Sequence, residues 1–278
     1  MGIHSESDRL ESDDHLVRIA NFFDHHGDTW ISVYEREAKE RWWEYYPIRI
    51  RESYACNLIQ AENKGVAVDL GCGTGHALLE MMQMGFARII GIDISENMLE
   101  SARNLIAKRN SGDRIELYRC DVQNLNMIKA NSVDVCTALG VLEYLPDDEE
   151  FLFEVHRILK PGGVLVFQVR NGCCYKNKTV RLLRTLLPAL KDGIWFREHI
   201  PSSLAETLRK QQFVIEERRF AHYYALYPFS YIPGVRLLVR FFDNALNKRL
   251  EAFLCEKDIS VFLASMFIVK ARKTRADI

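Results

Sequence analysis

The chain has 278 residues, enough for one large domain or two small ones. Its 48% hydrophobic and 27% charged residues are ordinary for a globular protein, which excludes disorder, collagen and coiled coil as whole-chain descriptions. Lys and Arg number 37 against 38 Asp and Glu, so the net charge of −1 gives no long-range attraction to nucleic acid.

Residues 220–235 form the longest stretch of the C-terminal third without an acid, Lys or Arg. They are too few to span a membrane, and Pro228, Pro233 and Gly234 interrupt them. The acidic start, with Glu6, Asp8, Glu11, Asp13 and Asp14, lacks the basic and apolar parts of a secretory signal. The seven cysteines show no CxxC spacing and are expected to be reduced thiols of a cytoplasmic protein.

Residues 1–15 are polar, and a flexible start is expected there. Residues 16–60 carry helical periodicity and three of the four tryptophans, Trp30, Trp42 and Trp43; we expect a helical lid over the domain that follows at 61–278. Packing on the sheet is the competing role for this segment. Residues 65–70 form a short apolar run, the pattern of a buried parallel strand. A helix is expected over 76–84, ended by Gly85. A strand at 87–94 and a helix at 96–109 come next, the helix capped by Ser95. Strands are predicted at 115–120 and 132–139. Asp147 and Glu150 are spaced as a capping box for the next helix, and Lys160-Pro161-Gly162-Gly163 predicts a turn before a strand at 164–169. A helix near 203–212 and strands near 213–220 and 260–271 complete the pattern. Strands alternating with helices predict right-handed crossovers and a parallel sheet covered on both faces.

The sequence Asp69-Leu70-Gly71-Cys72-Gly73-Thr74-Gly75 lies between a predicted strand and helix. It is not the dinucleotide fingerprint, since His76 stands where the last glycine is required, and the phosphate loop GxxxxGK[ST] is absent. Asp69 at a helix N-terminus opposes a pyrophosphate. A ligand with an ammonium group and a neutral ribose suits it better, and S-adenosylmethionine has both. Asp93 ends the second strand, where an open α/β sheet offers a carboxylate to ribose hydroxyls. Asp121 follows the third strand, in reach of an adenine amine.

Over residues 66–171 the chain resembles the class I S-adenosylmethionine-dependent methyltransferases, through VAVDLGCGTG, GIDISENML, CDV, SVDVCTALGVLEYL and HRILKPGGVLVFQVRN. The resemblance implies a doubly wound, seven-stranded, mostly parallel sheet of Rossmann-like type with its last strand antiparallel. It implies that Gly71, Cys72, Gly73 and Gly75 lie under the methionine part of the cofactor, with Asp69 at its amino group. Asp93 and Ile94 would meet the ribose, Asp121 and Val122 the adenine, and Leu139 and Gly140 the sulfonium. Tyr34 is a further cofactor candidate from the N-terminal helices. The Asp/Asn-Pro-Pro-aromatic motif of enzymes that methylate nucleobase or amide nitrogens is replaced by Leu139-Gly140-Val141-Leu142-Glu143-Tyr144, which disfavours that chemistry.

A small-molecule O- or N-acceptor is therefore expected. Nucleic-acid or protein methylation, and a cofactor-binding partner without catalysis, stay open as alternatives. No metal is called for. His199 is the candidate general base. A helical insertion is expected at about 222–257, where Val239, Phe242, Leu246, Leu250 and Phe253 form an apolar stripe flanked by Arg236, Arg240, Lys248 and Arg249. That stripe fits a peripheral membrane contact and a lipophilic acceptor; docking on its own domain, or a homodimer through 235–254, fits it too.

Overall fold

The computed structural model describes residues 15–25, 42–109, 112–186, 196–223, 257 and 259–274, together with Arg249, Phe253 and Leu254. Residues 1–14, Tyr34 and most of the 222–257 insertion with its 235–254 helix lie outside the described residues.

A seven-stranded sheet forms the centre, in the order β3-β2-β1-β4-β5-β7-β6. The strands are β1 Val66–Leu70, β2 Arg88–Asp93, β3 Ile115–Arg119, β4 Val133–Leu139, β5 Leu159–Arg170, β6 Phe213–Tyr223 and β7 Ala264–Lys273. β1 to β5 pair in parallel, and β7 runs antiparallel to both β5 and β6. The expected Rossmann-like fold with an antiparallel last strand is therefore present. Helix α1 covers residues 15–25. The others are α2 Trp42–Ile59, α3 His76–Gln83, α4 Glu96–Lys108, α5 Glu149–Ile158, α6 Tyr175–Leu186 and α7 Pro201–Lys210.

The two-residue period of a strand sorts side chains onto two cores. On β1, Val68 and Leu70 join Phe151, Leu152 and Val155 of α5 and Leu204 and Leu208 of α7. Ala67 points the other way, with Ala55, Leu58 and Ile59 of α2, Leu78 and Met81 of α3 and Leu99 of α4. Both faces of the central strands are thus dry, which is why these strands read as unbroken apolar runs.

Three local expectations shift. β5 begins at Leu159 rather than Val164. Leu159 pairs with Val133 and pairing resumes at Val164 with Val135, so Lys160–Gly163 bulges between two paired rungs. Asp134 anchors that bulge: its carboxylate accepts from Lys160 Nζ at 2.7 Å, from the Val66 amide at 2.8 Å and from Asn63 at 2.9 Å. α5 starts at Glu149. Asp147 Oδ1 accepts the Glu149 amide at 2.8 Å, while Asp148 turns to Arg197 and His199 instead of capping the helix. Finally, residues 260–263 form a helical turn before β7 rather than its first rung. Ser95 caps α4 as expected, accepting from the Met98 amide at 3.2 Å.

Candidate functional site

The strand order reverses between β1 and β4, and the carboxyl ends of strands at such a point open a crevice. A cavity of about 1120 Å³, counting its mouth, lies there.

The floor is the β1–α3 loop. The Gly71 and Cys72 amides both donate to Ile92 O, at 2.7 and 2.9 Å, which fastens the loop to β2. Gly71 has φ 72°, and a Cβ there would run into the Val141 side chain. Glycine is needed twice over at this position: for the left-handed backbone and for the close approach of β4's exit.

Three carboxylates stand on this edge. Asp69 at the end of β1 is 3% exposed and accepts from Thr137 Oγ1 of β4 at 2.5 Å. Burial pushes its carboxyl up to about 7; the nearby negative charges of Glu52 and Asp93 add to this, and the Thr137 hydrogen bond opposes it. Asp93 at the end of β2 accepts from the Gly73 amide at 2.8 Å and the Ser95 amide at 2.9 Å. Burial raises its carboxyl above the usual range, against those amide hydrogen bonds. A carboxylate has about four acceptor positions, so Asp93 can take further donors. Asp121 is partly exposed, and its carboxylate accepts the Gln123 amide at 3.0 Å.

The opposite wall is the exit of β4 and the 3-10 turn Leu142–Tyr144. Gly140 has φ 78°, and the Arg51 guanidinium of α2 occupies the space its Cβ would need. Arg51 donates to Gln168 Oε1 of β5 at 3.4 Å. Arg51, Glu52 and Glu143 all line the cavity, so its β4 side holds both signs of charge.

Helix α1 forms a roof with Leu16, Ile19 and Phe23. It is pinned at two ends. The His15 imidazole hydrogen-bonds Tyr144 O at 2.8 Å, and Phe23 stacks edge-on against Tyr144 at 5.2 Å between ring centres. Asp24 accepts from Ser95 Oγ at 2.5 Å, and its backbone carbonyl accepts from Asn97 Nδ2 at 2.8 Å. The roof thus bridges from the β4 turn to the start of α4.

Of the residues singled out from the sequence, Asp69, Gly71, Cys72, Gly73, Asp93, Ile94, Asp121, Val122, Leu139 and Gly140 all line this one cavity. Gly75, φ 85°, sits just behind them as the N-cap of α3. Tyr34 lies outside the described residues. His199 is not brought to the cavity wall. It is 6% exposed and pairs through Nε2 with Asp148 Oδ1 at 3.2 Å and with Arg197 at 3.1 Å. Its backbone amide donates to Arg170 O at 2.8 Å, extending the sheet edge. Arg51, Glu52 and Glu143 escaped the sequence reading, whereas the α1 roof falls within the 16–60 segment expected as a lid. No local pattern marks the first two. Glu143 did carry a signal, an acid inside the apolar run that follows β4.

Comparison with known proteins agrees with this geometry. Residues 68–167 match a family model described as a methyltransferase domain. A demethylmenaquinone methyltransferase of Desulfitobacterium hafniense is 32% identical over 151 residues, 53% of this chain and 54% of that protein. The chain thus spans about half the length of that relative. A ubiquinone biosynthesis O-methyltransferase of Acinetobacter baumannii is 29% identical over 66% of this chain and 81% of that one. Among solved structures, magnesium protoporphyrin IX methyltransferase from Synechocystis, with bound S-adenosylhomocysteine, superposes with a TM-score of 0.65 at 14% identity. That match covers 94% of this chain and all of the other. Geranyl diphosphate C-methyltransferase from Streptomyces coelicolor gives 0.56 at 14%, over 86% and 85% of the two chains. At such identities the two structures establish the fold.

Proposed function

We propose that this chain is a class I S-adenosylmethionine-dependent methyltransferase, supported by its matches to a methyltransferase domain and to methyltransferase relatives, and that it methylates a small, lipophilic molecule at an oxygen atom. The cofactor is S-adenosylmethionine. When bound, it supplies a methyl group on a positively charged sulfur, an electrophile with a good leaving group.

The observation that carries the proposal is the cavity at the β1–β4 reversal, with acids at three successive strand ends and one guanidinium on its β4 side. The residues present fit the cofactor. Asp69 offers a buried carboxylate to its ammonium, and Arg51, lodged over Gly140, offers a cation to its carboxylate. Asp93 accepts from the ribose hydroxyls, and Asp121 with Val122 bounds the adenine. The glycine loop leaves backbone bare beneath the ligand; no neighbour lies within 4 Å of where a Cβ on Gly73 would stand. Leu16, Ile19 and Phe23 close the roof, so residues 15–25 and α2 act as the lid that excludes water from the reacting atoms.

The apolar roof supports a lipophilic acceptor, and so do the two quinone-pathway relatives. No helix among the described residues is long and apolar enough to cross a membrane. A peripheral contact is part of the proposal: Phe253, Ile259 and Phe262 are each more than half exposed in and beside the insertion.

The test uses methyl-labelled S-adenosylmethionine with a decyl-substituted catechol, alone and on anionic liposomes. We expect label in the extracted lipid-soluble product and co-flotation of protein with the liposomes. Label that moves instead into added tRNA or protein, with none in the catechol, refutes the small-molecule assignment. Protein that stays at the bottom of the gradient at low salt removes the membrane contact and leaves the insertion as packing or dimer surface.

A further inference from the structure

The five acids named so far at the cavity are Glu52, Asp69, Asp93, Asp121 and Glu143, and the three aspartates are taken up by the cofactor. Of the two glutamates left over, Glu143 is the buried one. It lies in the turn three residues beyond Gly140, lines the cavity and is 8% exposed. Gln168, held by Arg51 at 3.4 Å, lies beside the Glu143 carboxylate. Its Oε2 is fully buried and has no hydrogen-bond partner among the described residues. The Glu143 backbone is fixed as well, since its carbonyl accepts the Arg197 amide at 2.7 Å.

Leaving a buried acceptor unpaired costs about 1–3 kcal/mol, and more when it is charged. An orphan of this kind is a group built for a donor that arrives later. Glu143 lines the cavity in the turn beyond Gly140, and Oε2 is the oxygen of its carboxylate left without a partner. We propose that Glu143 is the general base of the reaction, its Oε2 taking the proton of a hydroxyl acceptor as that oxygen attacks the methyl carbon.

The step balances. The acceptor's O–H bond breaks toward Glu143, and the oxygen's electron pair forms the new O–C bond. The methyl–sulfur bond breaks with its pair left on sulfur, which becomes a neutral thioether. The proton then passes from Glu143 to water once the products leave. No oxidant, metal or second reactant is needed. His199 is not among the residues that line the cavity, and its Nε2 pairs with Asp148.

Burial raises the Glu143 carboxyl above the usual range, and the charges of Arg170, Arg51 and His199 oppose that rise. The groups that face it are Arg51 and Glu52 from α2, Arg170 from β5, Arg197 and His199 from the 196–199 segment, Tyr144 in the same turn, and His15 from α1. Protonation of Glu143 on the acid side therefore switches the base off, and the raised carboxyl brings that loss closer to neutral pH than an ordinary glutamate would.

This inference rests on the hydroxyl-methylating function proposed above, and the test separates the two. The protein is assayed with S-adenosylmethionine and the decyl-catechol probe over pH 5.5–8.5, as wild type and as Glu143→Gln. Probe binding to the S-adenosylhomocysteine-loaded protein is measured by calorimetry without turnover. We expect Glu143→Gln to lose about 100-fold in kcat, to lose the acid limb of the kcat profile, and to keep probe and S-adenosylhomocysteine affinities within about threefold. Glu143→Asp should restore part of kcat together with an acid limb. A Gln variant that keeps kcat within threefold, or keeps the same acid limb, overturns the assignment while leaving the function intact. A variant that loses probe affinity and kcat in equal measure overturns it in favour of a binding role. Wild-type protein that binds S-adenosylhomocysteine but neither binds nor methylates the catechol overturns the function, and the base with it.

Discussion

Asp69 should make cofactor binding pH-dependent in a way an ordinary aspartate would not. Burial holds its carboxyl at about 7. An ammonium beside it favours the ionised form, so binding must expel the proton first. At pH 6 only about one tenth of the molecules carry the ionised form, so affinity should rise about fivefold, or roughly 1 kcal/mol, between pH 6 and 7.5. The gain stops there because an α-amino group loses its own proton above roughly pH 7.7–8.0. Calorimetry at pH 6 in buffers of different ionisation enthalpy should report close to one proton released per cofactor bound. Asp69→Asn removes the titrating group: binding should weaken at pH 7.5 by about tenfold or more, as for a lost charge-assisted hydrogen bond, and the slope below pH 7 should vanish. The stability consequence has the opposite sign to the common carboxylate case. A carboxyl raised on folding contributes stability that is fully present below its unfolded pKa and is lost as pH rises toward about 7. That loss amounts to roughly 4 kcal/mol for the cofactor-free protein. The cofactor-free Asp69→Asn variant should therefore melt higher than wild type at pH 8 and show little difference at pH 4.5. Wild-type affinity that is flat from pH 6 to 7.5, with no proton release, refutes the reasoning.

Asp93→Ala removes the acceptor for the Gly73 and Ser95 amides as well as for the ribose. At about 1.5–3 kcal/mol per hydrogen bond to a charged group, cofactor affinity should fall at least tenfold, and unchanged affinity by calorimetry would remove Asp93 from the site. Asp134→Ala breaks the junction of β1, β4 and the β5 bulge. We expect a loss of about 2–4 kcal/mol in denaturant unfolding, set by a buried ion-paired carboxylate with two further donors; a loss below 1 kcal/mol would show the bulge does not depend on it. Residues 15–25 and 48–59 should gain hydrogen-exchange protection with S-adenosylhomocysteine if they form a lid, and equal protection with and without it leaves them a packing role only.

The sequence by itself determined the sheet, the glycine loop and the cofactor. Each depends on interactions short in sequence: the two-residue period of buried strands, the left-handed backbone of a tight βα turn, and acids placed at strand ends. Asp69, Asp93 and Asp121 were legible because a parallel sheet carries every strand's carboxyl end to the same edge. The start of β5 was less legible, since Leu159 pairs with Val133 ahead of a bulge that Asp134 holds through Lys160 and Val66. What only the tertiary structure decided was the traffic across the cavity. Arg51 meets Gly140 across 88 intervening positions of sequence because α2 packs on β4 and β5, and no local pattern announces that meeting. His199 was reasonable from its place after β5, yet the pairing of residue 199 with Asn171 and of its imidazole with Asp148 turns it away from the cavity. Glu143 went the other way: one acid in an apolar run became a buried carboxylate with an unpaired oxygen once β4, β5 and α2 had closed around it. Local rules set where chains turn and strands end, but the charge a side chain meets is set by groups distant in sequence, and those are known only when the fold has brought them within reach.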